Sequence, residues 1–205
     1  QAFEDLQAST IKEQYAPNGE KLLLYVGRMA REKGLTLLLE SFKDICRLRQ
    51  DTKLLMVGTG PQLGELKRNA LRAGVQDKVI FIGAVAPDEV PAYYLAADLF
   101  VFTSSSETQG LVLIEAMAAG TPIVAVQAPG SHDVLARGGG CLVPSSREAF
   151  SAAVIRLLEG HIERERMGDA GRREAERYSV KKSTETLLAA YAKALAWKDQ
   201  NPPGA

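Results

Sequence analysis

Histidine and cysteine are scarce in this sequence, and their scarcity excludes several chemistries. Only His132 and His161 occur, so a metal centre built from histidines is not to be expected. The run Ser131-His132-Asp133 is no catalytic triad, because consecutive residues cannot converge their side chains on one another. Cys46 and Cys141 belong to no Cys-x-x-Cys pair and sit in apolar surroundings, which reads as reduced, buried thiols of a cytosolic protein. Asp-x-Asp pairs are absent, which weakens any case for a carboxylate-held divalent ion. Residues 1–20 do not read as a signal peptide, and no uninterrupted apolar run of spanning length occurs in the sequence. Neither sign of charge is in excess, with 25 Lys+Arg against 25 Asp+Glu. That balance implies no general attraction to nucleic acid or to an anionic membrane surface.

What is present is a regular alternation. Residues 1–20 are polar with weak helical periodicity and end in Pro-Asn-Gly, which reads as a lead-in or linker. Short β-rich runs follow at 21–26, 53–57, 78–82, 99–103, 122–126 and 141–143, the first five each followed by Gly, Pro or Ser and a stretch of helical length. This spacing predicts βαβ units and a parallel sheet. The first four runs are nearly all apolar, as strands covered on both faces are. From about Ser145 the chain reads as helical, over 146–159, 161–176 and 180–198. The expected fold is α/β, a Rossmann-like doubly wound sheet of six parallel strands with helices on both faces and a helical C-terminal tail. One domain spans 21–178, and 179–205 forms a last helix and a frayed end. Met29, Met56, Met117 and Met167 read as core filler.

In an open parallel sheet, ligands bind beyond the carboxyl ends of the strands where strand order reverses. For the order 3-2-1-4-5-6 that point lies between the first and fourth strands, which are followed by "GRMAREKG" (27–34) and "SSSETQG" (104–110). The first loop carries Arg28, Arg31 and Lys33; the second carries Glu107 and opens a helix at Gly110. A helix N-terminus presents free N–H groups and the positive end of a dipole, so it favours phosphate. Cations facing such an end make a diphosphate pocket. The helix that follows is apolar all round except for Glu115, and such a helix is normally buried. A bare charge there would cost on the order of several kcal/mol. Either a structural partner such as Arg28 or Lys33 neutralises Glu115, or it faces a crevice in which it accepts the two hydroxyls of a ribose. The run "VGTGPQLG" (57–64) is a weak dinucleotide signal. Its third glycine is one place late, and no acidic residue follows at the end of the next strand.

Taken together, "YVGRMAREKG", "MVGTGP", "VIFIGAV" and "ETQGLVLIEAMAAGTPIVA" resemble the retaining glycosyltransferases of family 4, which have the GT-B fold. The resemblance covers about residues 20–178, the C-terminal half of such an enzyme. It implies that Arg28 and Lys33, with Gly27 ahead of them, bind the diphosphate of a donor sugar nucleotide, and that Glu115 binds the ribose. Glu107 would hold the transferred sugar, with the backbone at Thr108, Gln109, Gly110 and Leu111. The loop from Gly83 to Val85 would meet the base, and Gly58 and Gly60 would line the floor. Catalysis is assigned to Arg28, Lys33 and Glu107, without cofactor or divalent metal; the donor is UDP- or GDP-linked. Two departures stand out. Gln109 replaces a common Phe, and Thr-Gln-Gly is similar to variants that glycosylate lipids, which implies a lipid or polysaccharide acceptor and peripheral contact with the inner face of the membrane. The N-terminal acceptor domain is missing, so the chain is expected to be an excised half. Apolar Leu187, Leu188, Tyr191, Leu195 and Trp197 of the last helix would then be partly exposed. The rival readings are an NAD-dependent oxidoreductase domain and a non-catalytic nucleotide-sugar-binding module.

Overall fold

The computed structural model describes residues 2–106 and 110–179, together with 181, 182, 184, 185, 188, 190, 191 and 193. Six strands, β1 (Lys21–Val26), β2 (Thr52–Val57), β3 (Val79–Gly83), β4 (Leu99–Phe102), β5 (Ile123–Val126) and β6 (Gly140–Val143), form one sheet. Every pairing is parallel and the strand order is β3-β2-β1-β4-β5-β6. The order reverses between β1 and β4, which pair through Leu23 with Leu99 and Leu24 with Phe100.

Strand alternation sends successive side chains to opposite faces, and here both faces are apolar. Leu23 and Tyr25 of β1 point to a core closed by α2 (Leu35–Leu48), α3 (Leu63–Ala73) and α7 (Arg147–Glu159). Leu22 and Leu24 point to the other core, under α4 (Val90–Ala96), α5 (Leu111–Ala119) and α6 (Pro129–Leu135), with Ala175 of α8 (His161–Ala175). Each strand leucine or phenylalanine removed from water contributes about 1.5–3 kcal/mol. Helix ends follow local chemistry. Gly74 and Gly120 close α3 and α5 in the left-handed region, and the Ser146 hydroxyl accepts the Ala149 N–H at 3.2 Å to start α7. Met29, Met56 and Met117 are fully buried, and Met167 packs against the first core.

The polar stretch expected to be a lead-in is α1 (Ala2–Tyr15), a helix packed on α4, with Ile11 and Tyr15 against the second core. Ala8 is buried as well, and a small or widely spaced set of apolar residues does not register as strong periodicity. Among the tail residues named above, Leu188 and Tyr191 are exposed; Leu187, Leu195 and Trp197 lie outside the described residues.

The thiols differ. Cys46 on α2 is buried, and that burial pushes its thiol up to about 11, so roughly one part in a thousand is thiolate at pH 8. Cys141 is half-buried, with an Arg156 guanidinium nitrogen 3.6 Å from its sulfur. A disulfide reagent at pH 8 should label Cys141 first and Cys46 only on unfolding. Mass spectrometry finding Cys46 labelled as fast as Cys141 in the folded chain would contradict this.

Candidate functional site

The two loops flanking the reversal point are bound to each other. After β1 the chain runs through Gly27, Arg28, Met29 and Ala30 into a 3-10 turn, Arg31–Lys33. After β4 it runs through Thr103 and Ser104. The Thr103 hydroxyl donates to the Lys33 carbonyl at 3.0 Å, and the Ser104 and Ser106 hydroxyls donate to the Glu32 carbonyl at 3.2 Å each. Thr103 and Ser104 are buried, so these hydroxyls satisfy themselves by fixing the backbone of the cationic loop. From the other side, the buried Tyr25 hydroxyl donates to the Arg28 carbonyl at 2.9 Å. The Arg28 side chain is thereby left on the exposed side of a held backbone, with Lys33 half-buried at the end of the 3-10 turn.

Gly110 begins α5 at φ +62°, a conformation costly for any residue with a side chain, and its α-carbon faces Val134 of α6. Having no side chain, Gly110 offers its helix no cap, and its carbonyl accepts the Leu113 and Ile114 N–H groups. The N–H groups of Leu111 and Val112 head the helix ahead of that first internal bond, at its positive end. Glu107, Thr108 and Gln109 lie outside the described residues.

The expectation that α5 is buried all round is corrected. Leu113, Ala116 and Met117 cover the sheet, whereas Leu111, Glu115 and Ala118 are exposed. The reason is that α4 does not close against this face of α5. Between them lies a groove of about 910 Å³ whose lining includes Val85, Pro87, Val90, Pro91, Tyr94, Val112 and Glu115. Glu115 therefore bears no large desolvation cost, and the structure gives it a neutral partner: the Tyr94 hydroxyl donates to Glu115 Oε2 at 2.9 Å. Burial, and then the Glu115 charge, push the Tyr94 phenol well above its ordinary range. At the far end Arg172 of α8 lines the groove and donates to the Ala119 carbonyl at 3.1 Å. Sequence pattern pointed to neither Tyr94 nor Arg172; the only local signal was the tyrosine pair in "AYYLAAD".

Of the other anticipated residues, Val85 lines the groove, and Gly83 ends β3 with its carbonyl accepting the Gly58 N–H at 2.7 Å. Gly58 and Gly60 are set against protein. An added Cβ would lie 2.1 Å from the Gly27 carbonyl oxygen at the first and 2.4 Å from the Met29 oxygen at the second. The turn before α3 is closed by Met29 N–H to Thr59 and Gln62 N–H to the Met29 carbonyl.

Comparison with known proteins agrees with this geometry. A family model described as "Glycosyl transferases group 1" matches residues 7–174. The chain is 44% identical over 108 residues to an alpha-monoglucosyldiacylglycerol synthase of Streptococcus pneumoniae, covering 53% of this chain and 24% of that one. It is 36% identical over 182 residues to a D-inositol 3-phosphate glycosyltransferase of Segniliparus rotundus, covering 86% and 40%. Its fold matches that of Anabaena HepE, solved in complex with UDP and glucose, with a TM-score of 0.83 at 21% identity, over 92% of this chain and 52% of that one. The chain thus spans about half the length, or less, of these relatives.

Proposed function

The chain belongs to the glycosyl transferases group 1 family, and from that membership we propose that it is the donor-binding half of a retaining hexosyltransferase. It binds a nucleoside diphosphate sugar, with UDP or GDP as the carrier, and the sugar passes to an acceptor held by a separate domain of the same enzyme. The observation that carries this reading is the hydrogen-bonded union of the 27–34 loop, which follows directly on the groove-lining Val26, with the β4 loop. It sets Arg28 and Lys33 beside the loop that opens α5. These groups would stabilise charge on the departing diphosphate as preorganised donors, in place of a divalent metal. Ribose falls to Glu115, one turn into α5, and the base to the Gly83–Val85 loop and the apolar wall of Pro87 and Val90. Glu107 is assigned to positioning the sugar rather than to covalent attack. The UDP and glucose named for HepE support a UDP-hexose donor. The glucosyl diacylglycerol in the name of the pneumococcal relative supports a lipid acceptor, and with it peripheral contact of a cytoplasmic enzyme with the membrane. Among the described residues no helix is long and apolar enough to cross a membrane.

Calorimetric titration with UDP, GDP, ADP and NAD, in EDTA and beside the matching nucleosides, tests the reading. A nucleoside diphosphate should bind about ten- to a hundredfold more tightly than its nucleoside, since each charge-assisted hydrogen bond to phosphate is worth about 1.5–3 kcal/mol. Added salt should narrow the gap. Equal affinity for diphosphate and nucleoside, or tightest binding of NAD, would overturn it.

A further inference from the structure

A carboxylate on the rim of an open groove samples many rotamers unless something holds it. Glu115 is such a group, yet its Oε2 is tied to the Tyr94 hydroxyl at 2.9 Å. Tyr94 is itself immobile. It is 1% exposed, its ring lies 5.3 Å from that of Phe100 at a tilt of 56°, and its carbonyl accepts the Thr121 hydroxyl at 2.7 Å. Because burial and the neighbouring carboxylate keep the phenol protonated, the hydroxyl acts toward Glu115 only as a donor. The bond thus runs from the rigid second core, through α4, to one oxygen of the carboxylate, and leaves Oε1 to a ligand in the groove.

We propose that Tyr94 is a positioning residue for the donor: its hydroxyl presets the Glu115 carboxylate to receive the two ribose hydroxyls. This rests on the reading that Glu115 takes the ribose. Tyr94 does not touch the reacting atoms; it acts by sparing the ligand the work of ordering Glu115, which is how preorganisation raises affinity. A merely structural hydroxyl, present because a buried phenol needs an acceptor, would affect folding and leave ribose recognition alone.

The two roles separate in a selectivity measurement. UDP and 2′,3′-dideoxy-UDP are titrated by calorimetry into the native chain, Tyr94→Phe, Glu115→Gln and the double variant. The phenylalanine keeps the ring against Phe100, and a ratio taken within one variant cancels any general loss of folded protein. The native chain should prefer UDP by about tenfold or more, as expected for hydrogen bonds to a charged acceptor. Tyr94→Phe should cut that preference about threefold to fivefold, and in the double variant it should fall no further than in Glu115→Gln, the non-additivity of residues that act as one unit. If Glu115→Gln loses the preference while Tyr94→Phe keeps it whole, the positioning role is overturned and the ribose assignment stands. If Glu115→Gln also keeps it, the ribose assignment falls and the positioning role falls with it.

Discussion

UDP should bind Arg28→Ala and Lys33→Ala about tenfold to a hundredfold more weakly than the native chain, each substitution removing one charge-assisted contact worth about 1.5–3 kcal/mol. The fold should be nearly untouched. Arg28 extends to solvent, so its loss opens no cavity. The loop is held through backbone carbonyls, that of Arg28 by Tyr25 and that of Lys33 by Thr103, which the substitutions leave in place. Arg31, exposed at the start of the 3-10 turn, is the control. Its replacement by alanine removes the same charge from the same loop, and should change affinity by no more than about twofold, as a screened surface charge does. Thermal melting of each variant, with calorimetry at low salt, separates the effects. Should Arg31→Ala weaken UDP as much as Arg28→Ala, general attraction and not two placed cations would explain the binding.

The residues that pattern reading found here are those whose placement follows from topology. Apolar runs such as Leu22–Tyr25 and Leu99–Phe102 can only be strands covered on both faces, and once six of them alternate with helices, the reversal point selects the loops after β1 and β4. Arg28, Lys33 and Gly110 follow from that step. What stayed illegible depends on how helices pack. The sequence Leu111–Ala119 cannot reveal that a groove opens between α4 and α5, so it left Glu115 either paired with a hidden cation or facing a crevice, and only the packing shows that it lines an open groove. For the same reason Tyr94 and Arg172 carry no signal of a role in the sequence, since what each touches depends on how α4 and α8 pack. Gly58 and Gly60 have a further reason to be glycine that the sequence does not display. A glycine-rich turn after a strand reads equally as room for a ligand or as room for another loop, and only the Gly27–Met29 backbone lying against it decides between them.

That decision carries the second large effect. Gly58→Ala should lower stability by about 2–4 kcal/mol, a fall in melting temperature of about 5–15 °C for a chain of this size. Its ideal Cβ would sit 2.1 Å from the Gly27 carbonyl oxygen and 3.0 Å from the carbonyl carbon, and its φ of +123° is strained for any side chain. Backbone, unlike a flexible side chain, cannot swing aside. To admit the methyl group, the end of β1 must part from the end of β2. Three hydrogen bonds hold those ends together: Gly27 N–H to Val57, Met29 N–H to Thr59 and Gln62 N–H to Met29. Parting them would also displace the loop that carries Arg28, so UDP affinity should fall together with stability. Gly83→Ala is the comparison. A Cβ there meets nothing within 4 Å, and only the positive φ of +91° opposes it, so the cost should stay near 1–2 kcal/mol. A glycine that merely lined the floor of the ligand site would behave in the opposite way. Its alanine variant would lose UDP by steric exclusion while melting with the native chain, and that pairing of results would return Gly58 to the role the sequence first suggested.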